Sequence, residues 1–148
     1  MRVILDGVFN HSSSDSIYFD RYANYASVGA CEDEASPYRD WYHFTDVTPG
    51  TGECVGSGGA ALGATYESWF GYDSLPKLNS ANQDVRDFFY AGGANAVGPY
   101  WLSLGTLGNM GADGWRLDVG GDVDPGVTND PTNSYWEGFR QAVRDAKA

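Results

Sequence analysis

Two carboxylates stand where short apolar runs give way to polar residues: Asp6, after Arg2-Val3-Ile4-Leu5, and Asp118, after Gly114-Trp115-Arg116-Leu117. In a parallel α/β sheet the C-terminal strand ends converge, so polar groups there are placed to act on one ligand. Arg116 and Asp118 are two positions apart and share a strand face. If that face lines a barrel interior, a buried guanidinium sits beside a buried carboxylate and keeps it ionised. An ionised, oriented carboxylate can attack an anomeric carbon. A plain ion pair that fixes two strands fits the same spacing. Asn10 and His11 follow the first strand and add two further polar groups.

Other patterns carry less chemistry. Asp122 to Asp130 resembles a calcium loop, but an EF-hand starting at Asp122 would place Val127 and Asn133 where glycine and glutamate belong, so a solvated acidic loop is expected. Gly56-Ser57-Gly58-Gly59-Ala60-Ala61 follows no strand and opens no helix, as a nucleotide-binding turn would. His43, between Tyr42 and Phe44, reads as a packing residue, and no Cys/His spacing suits zinc. Asn10-His11-Ser12 is a glycosylation sequon whose asparagine is expected to be buried. Cys31 and Cys54 lie in a polar, loop-like stretch, where a disulfide and two free thiols are both open readings.

The elements that must position these groups are short. Arg2–Leu5 reads as a buried parallel strand and Gly114–Val119 as a second one. Residues 12 to about 72 show no sustained period; their many aromatic residues argue for an inserted, packed subdomain. A helix is expected over Asn82–Tyr90, with Asn82 as N-cap and Val85, Phe88 and Phe89 on one face. A second is expected over Ala96–Leu104, with Val97, Tyr100, Trp101 and Leu104 together. A third is expected over Ser134–Ala146, opened by a Ser134/Glu137 capping box, with Trp136 and Phe139 in its core face. Strand, insertion, helix, strand, loop, helix is a βαβ order. It amounts to about two of the eight repeats of a (β/α)₈ barrel. The chain enters a strand at its first residues, as a segment of something longer would.

Composition narrows the partners. The 148 residues carry 20 acidic against 9 basic side chains, a net charge of −11, and 15% aromatic residues. Nucleic acid is a poor partner for so acidic a chain. No apolar run is long enough to span a membrane. Rings with acids suit a neutral polar ligand such as sugar.

Three segments then stand out together. Asp6-Gly7-Val8-Phe9-Asn10-His11, Leu75-Pro76-Lys77-Leu78-Asn79 and Gly114-Trp115-Arg116-Leu117-Asp118-Val119 resemble, in order and spacing, three motifs of the α-amylase family (glycoside hydrolase family 13). The resemblance covers most of the chain. It implies a partial (β/α)₈ TIM barrel with an irregular inserted domain B, all one incomplete catalytic domain. Residues 1–11 would be barrel strand 3 and its following motif, 12–74 domain B, and 75–148 barrel helix 3, strand 4 and helix 4.

The resemblance also assigns roles. Asp118 matches the catalytic nucleophile. Arg116 matches the arginine that orients and ionises it, and His11 the histidine that hydrogen-bonds the sugar beside the cleaved bond. Asp6 matches a structural acid that helps hold the arginine. Asn10 matches a position that ligates structural calcium in common α-amylases; no cofactor is required for the chemistry. Lys77, Asn79 and Trp115–Val119 are similar to the neopullulanase and amylopullulanase branch, which implies α-1,6 as well as α-1,4 glucosidic bonds. Gly120-Gly121-Asp122 replaces the basic pair common after the nucleophile and weakens the calcium expectation.

The family's general acid/base and third carboxylate match no residue here. A retaining mechanism needs two carboxyls about 5 Å apart, so the 148 residues alone are expected not to hydrolyse glycosides. The expected partner is an α-glucan oligo- or polysaccharide, and the expected location extracellular or periplasmic. A transglycosylase of the same family uses the same nucleophile. A non-catalytic binding subunit would not need Asp118, Arg116 and His11 together. Trp69, Phe70 and Tyr72 precede the second motif and could offer rings to a sugar.

Overall fold

The computed structural model describes residues 1–45, 51–55, 61–103, 111–123 and 135–148. The chain forms two compact units, one made of Met1–Phe9 with Ser80–Ala148 and the other of Asn10–Asn79.

The first unit is built on a parallel strand pair, β1 (Ile4–Val8) and β5 (Gly114–Asp118). Their register sets Asp6 opposite Arg116 and Val8 opposite Asp118. The first strand lies two residues later than its apolar run suggests, so Asp6 sits mid-strand rather than at the strand end. Apolarity stops at Leu5, but backbone pairing with β5 carries the strand on through Val8. Glycine suits that place: a Cβ there would run into the Phe9 ring and come within 2.9 Å of Trp115.

Alternation then sorts the side chains. Gly7 and Phe9 are buried on one side of the strand, while Ile4, Asp6 and Val8 are exposed on the other. Phe9 is the hub of the core. Its ring meets Phe139 at 4.8 Å, Phe89 at 5.2 Å, Trp115 at 5.6 Å and Trp136 at 6.2 Å. Such tilted and edge-on pairs add to simple burial.

Trp115 comes from β5, Phe89 from the π turn after the first of three helices, and Trp136 and Phe139 from the last. Helix α1 (Gln83–Arg86) starts where the Asn82 side chain accepts from the N–H groups of Asp84 and Val85, as an N-cap should. It runs on into one π turn over Asp87–Ala91, closed by Gly92 N–H donating to the Asp87 carbonyl at 3.0 Å. Helix α2 (Val97–Ser103) buries Gly98, Pro99 and Leu102. Val97 packs against the core as expected, but Tyr100 and Trp101 are 44% and 47% exposed and do not share its inward face. The reason is close packing: Gly98 lies under Phe139, and its carbonyl accepts from Trp115 Nε1 at 3.1 Å, which turns the small side of the helix inward. Helix α3 (Tyr135–Asp145) buries Tyr135 and Phe139, with Trp136, Ala142 and Val143 packed against that core. The Ser134 cap, Leu104 and the Asp124–Asp130 part of the acidic loop fall outside the described residues.

The second unit holds an antiparallel sheet in the order β2 (Phe44–Thr45), β4 (Ala61–Glu67), β3 (Thr51–Val55). Its core is aromatic. Phe19, fully buried, meets Tyr66 at 4.6 Å and Tyr42 at 4.7 Å, and Arg39 caps the Phe44 ring at 3.3 Å. Cys31 and Cys54 form a disulfide, with Cα atoms 5.3 Å apart, and both are buried. Neither is the exposed thiol that a polar neighbourhood suggests; the bridge ties an irregular loop to β3. Of the glycine-rich run at 56–61, residues 56–60 lie outside the described residues.

Candidate active site

In the first unit the charged face of β1 and β5 is one connected group. Arg116 Nη1 donates to both oxygens of Asp6, at 2.8 and 3.1 Å. The same nitrogen lies 2.6 Å from Asp118 Oδ1. Parallel register makes this possible: Arg116 stands directly opposite Asp6, and Asp118 is on the same side two residues on. The hydrogen bond to Asp6, then the charge of Asp118, push the Arg116 guanidinium above its ordinary range. The cation is therefore permanent at any working pH. With Oδ1 turned to Arg116, Oδ2 of Asp118 is the oxygen left to meet an electrophile.

The group is not buried, contrary to the expectation of a buried pair. Side-chain exposures are 59% for Arg116, 64% for Asp6 and 38% for Asp118. Ile4 and Val8 on the same face are exposed too. Two strands make an open pair, and inward side chains are enclosed only when a sheet closes on itself.

In the second unit, the segment after β1 pairs with the Leu75–Asn79 motif. Ser12 N–H donates to the Pro76 carbonyl at 3.1 Å, and Leu78 N–H to the Asn10 carbonyl at 2.9 Å, so His11 and Lys77 form an antiparallel bridge. Two of the motifs singled out in the sequence are thus backbone neighbours. The other edge of Leu75–Asn79 is held by Lys77 N–H to the Glu67 carbonyl, and Lys77 Nζ adds an ion pair to Glu67 at 3.2 Å. Asn79 Nδ2 donates to the Asp40 carbonyl at 3.2 Å.

His11 is half-buried and stacks on Trp69, with ring centroids 5.3 Å apart and planes 24° from parallel. Asn10 Nδ2 lies 3.2 Å from His11 Nδ1. The Asn10 side chain is 1% exposed, and its Oδ1 is a buried acceptor without a partner among the described residues. Buried acceptors are seldom left so. No cluster of three His, Cys, Asp or Glu side chains that could hold a metal occurs among the described residues. The Trp69 stack was not legible as a site feature, because a tryptophan 58 positions from a histidine gives no local signal; only the pairing of the two segments joins them.

A model of the alpha-amylase catalytic domain matches residues 1–147. The chain belongs to the alpha-amylase family. Among curated relatives, the amylopullulanase of Thermoanaerobacterium saccharolyticum is 40% identical over 99% of the chain, and the cyclomaltodextrinase of a Bacillus species 28% identical over 99%. The chain spans 10% of the former's length and 20% of the latter's. Among solved structures, the Nostoc punctiforme debranching enzyme superposes with a TM-score of 0.65 at 28% identity, covering 99% of this chain and 24% of that one. The alpha-amylase fold is a (β/α)₈ barrel, and β1, α1, α2, β5 and α3 make up part of one.

Proposed function

We propose that this chain supplies the nucleophile half of a retaining α-glucan glycosidase acting on α-1,4 and α-1,6 glucosidic bonds. The single observation that carries the reading is the Asp6–Arg116–Asp118 group on adjacent parallel strands. Asp118 Oδ2 attacks the anomeric carbon, and a glycosyl ester forms as the glycosidic C–O bond breaks. The leaving oxygen takes its proton from a second carboxyl group contributed elsewhere in a complete barrel. Water then cleaves the ester, releasing the sugar with its original configuration and restoring the Asp118 carboxylate. Arg116 pairs with Asp118 and fixes which oxygen it presents. Asp6 has both oxygens on Arg116, the geometry of a support. His11, held flat by Trp69, is the hydrogen-bonding partner for the sugar being transferred.

The relatives' names, amylopullulanase and cyclomaltodextrinase, support an α-glucan as the substrate. The chemistry draws on side chains alone. Calcium, where bound, would have a structural role, and the orphan Asn10 Oδ1 supports one of the six to eight oxygens such an ion takes. The Cys31–Cys54 bridge supports an extracellular or periplasmic location. We assign residues 12–74 as the inserted domain B and the remainder as barrel, a reading that the compact unit Asn10–Asn79 supports.

The test is turnover of maltooligosaccharides and pullulan by a full-length enzyme carrying this segment, with anomeric configuration read by NMR. Asp118→Asn is expected to lower kcat on the order of 10⁴-fold, and a glycosyl adduct trapped on the wild type should map to the peptide holding Asp118. The 148-residue chain alone is expected to give no turnover. Full activity of Asp118→Asn would overturn the reading. Transfer to sugar rather than water in the product mixture would recast the enzyme as a transglycosylase with the same nucleophile.

A further inference from the structure

The turn that leaves β5 is strained, and it begins directly after Asp118. Among the described residues, four that are not glycine have a positive φ: Asp20, Ala23, Phe70 and Val119. Of these, Val119 alone is β-branched, with φ 46° and ψ 32°. A β-branched residue takes the left-handed region only at a cost, whereas glycine takes it freely. Gly120 and Gly121 follow at once, yet the left-handed position falls on the valine. Such a conformation persists only where surrounding contacts hold it.

Three contacts hold this one. Asp122 N–H donates to the Val119 carbonyl at 2.9 Å and closes the turn. Val123 is 2% exposed and belongs to the core around Phe9. Between them, the Gly120 carbonyl accepts from Trp136 Nε1 at 2.9 Å. Gly120 also lies against the same indole, since a Cβ there would be 3.6 Å from Trp136 Cζ2. Trp136 is itself fixed, its ring edge-on to Tyr135 at 5.0 Å and to Phe139 at 5.8 Å. What these contacts secure is the end of a strand. Asp118 is the last residue of β5 and pairs with Val8, the last of β1. Strand ends fray when the chain beyond them is not tied. Arg116 is less open to fraying, because it stands mid-strand opposite Asp6. Loss of the tie would therefore move the carboxylate away from a guanidinium that stays in place.

We propose that Trp136 is a positioning residue for Asp118: its Nε1–H latches the Gly120 carbonyl, keeps the left-handed turn at Val119 closed, and so holds the carboxylate 2.6 Å from Arg116. This rests on the reading of Asp118 as the nucleophile. Trp136 acts through the backbone. Its effect is on how well Asp118 is aimed, which enters kcat rather than KM.

The experiment is maltooligosaccharide turnover by a full-length enzyme carrying this segment, with kcat and KM separated. Trp136→Phe keeps a ring in the core and removes the donor. It should lower kcat roughly 10-fold and leave KM within about twofold. Val119→Gly relieves the left-handed residue, so the turn depends less on the latch. In that background Trp136→Phe should lower kcat by about threefold or less. If Trp136→Phe loses the parent's near-UV circular dichroism, benzothienylalanine at position 136 takes its place; it keeps the bicyclic shape with sulfur where the N–H was. An unchanged kcat, a loss confined to the melting temperature, or the same fall in kcat with and without Val119→Gly would each overturn the latch. Asp118→Asn separates this from the reading beneath it. If that variant is inactive while the Trp136 variants match the parent, only the latch fails; if it keeps full activity, the assignment of Asp118 fails first.

Discussion

The two units of this chain reach order by different means. Residues 1–9 with 80–148 rely on one ring, Phe9, around which two strands and three helices gather, and they leave a charged strand face open. Residues 10–79 have short strands and long irregular stretches, yet they close around Phe19 and carry a disulfide. Regular elements tolerate an open face because their backbone bonds are met within the elements. An irregular loop has no such ladder and needs cross-links and side-chain bonds to replace it. Asp20 shows this: it is fully buried, and its two oxygens accept from the N–H groups of Asn24 and Tyr25, standing in for a helix or sheet partner.

The sharpest way to separate the units is to damage each at its centre. Phe9→Ala should cost about 3–5 kcal/mol, the range for emptying a well-packed aromatic site. Amide exchange should rise first in β1, β5 and α3. Reducing the Cys31–Cys54 bridge, or replacing both cysteines with serine, should cost roughly 3 kcal/mol, as a loop of 23 residues is freed in the unfolded state. Exchange should then rise first around residues 29–55. If Phe9→Ala instead loosens the disulfide-bonded segment as much as its own core, the contrast between the units fails.

What could be read from sequence follows the same division. The elements of the first unit were visible within a residue or two, because Asn82 and the rings of α3 act through neighbours three or four positions away. The bounds of β1 were misplaced because they are decided by pairing with β5, more than a hundred residues on. The outward turn of Trp101 follows from Gly98 packing under Phe139, again a distant partner. The Asp6–Arg116–Asp118 group was legible in part: i and i+2 spacing puts Arg116 with Asp118, but Asp6 joins them only through strand pairing. In the second unit almost nothing periodic exists to read. The Cys31–Cys54 pairing, the His11–Trp69 stack and the docking of Leu75–Asn79 are all non-local.

A smaller contrast concerns protons. Burial pushes the phenols of Tyr66 in one unit and Tyr135 in the other far above the ordinary tyrosine range, and raises Tyr42 and Tyr90 as well. The folded state therefore holds protons that the unfolded chain releases at about pH 10. Stability from this source is whole below that pH and is lost as pH rises further. Phenolate absorbance followed against pH, beside a fold-sensitive signal, is the measurement. Tyr66 and Tyr135 should ionise only with unfolding, each in step with its own unit. Smooth ionisation of all tyrosines from the folded state would remove this difference.

The least effect on stability is expected where the effect on chemistry is greatest. Arg116→Gln removes the cation between Asp6 and Asp118, yet all three side chains face solvent, where water and salt already screen the pair. The denaturation midpoint should not move measurably. In a full-length enzyme carrying the segment, the same substitution should lower kcat far more than it alters KM. Asp118 would lose the group that orients Oδ1. A purely structural ion pair would show the reverse pattern, with a lower midpoint and an unmoved kcat. Because the open face of β1 and β5 gains so little stability from these three charges, their arrangement is better explained by what Asp118 does than by what it holds together.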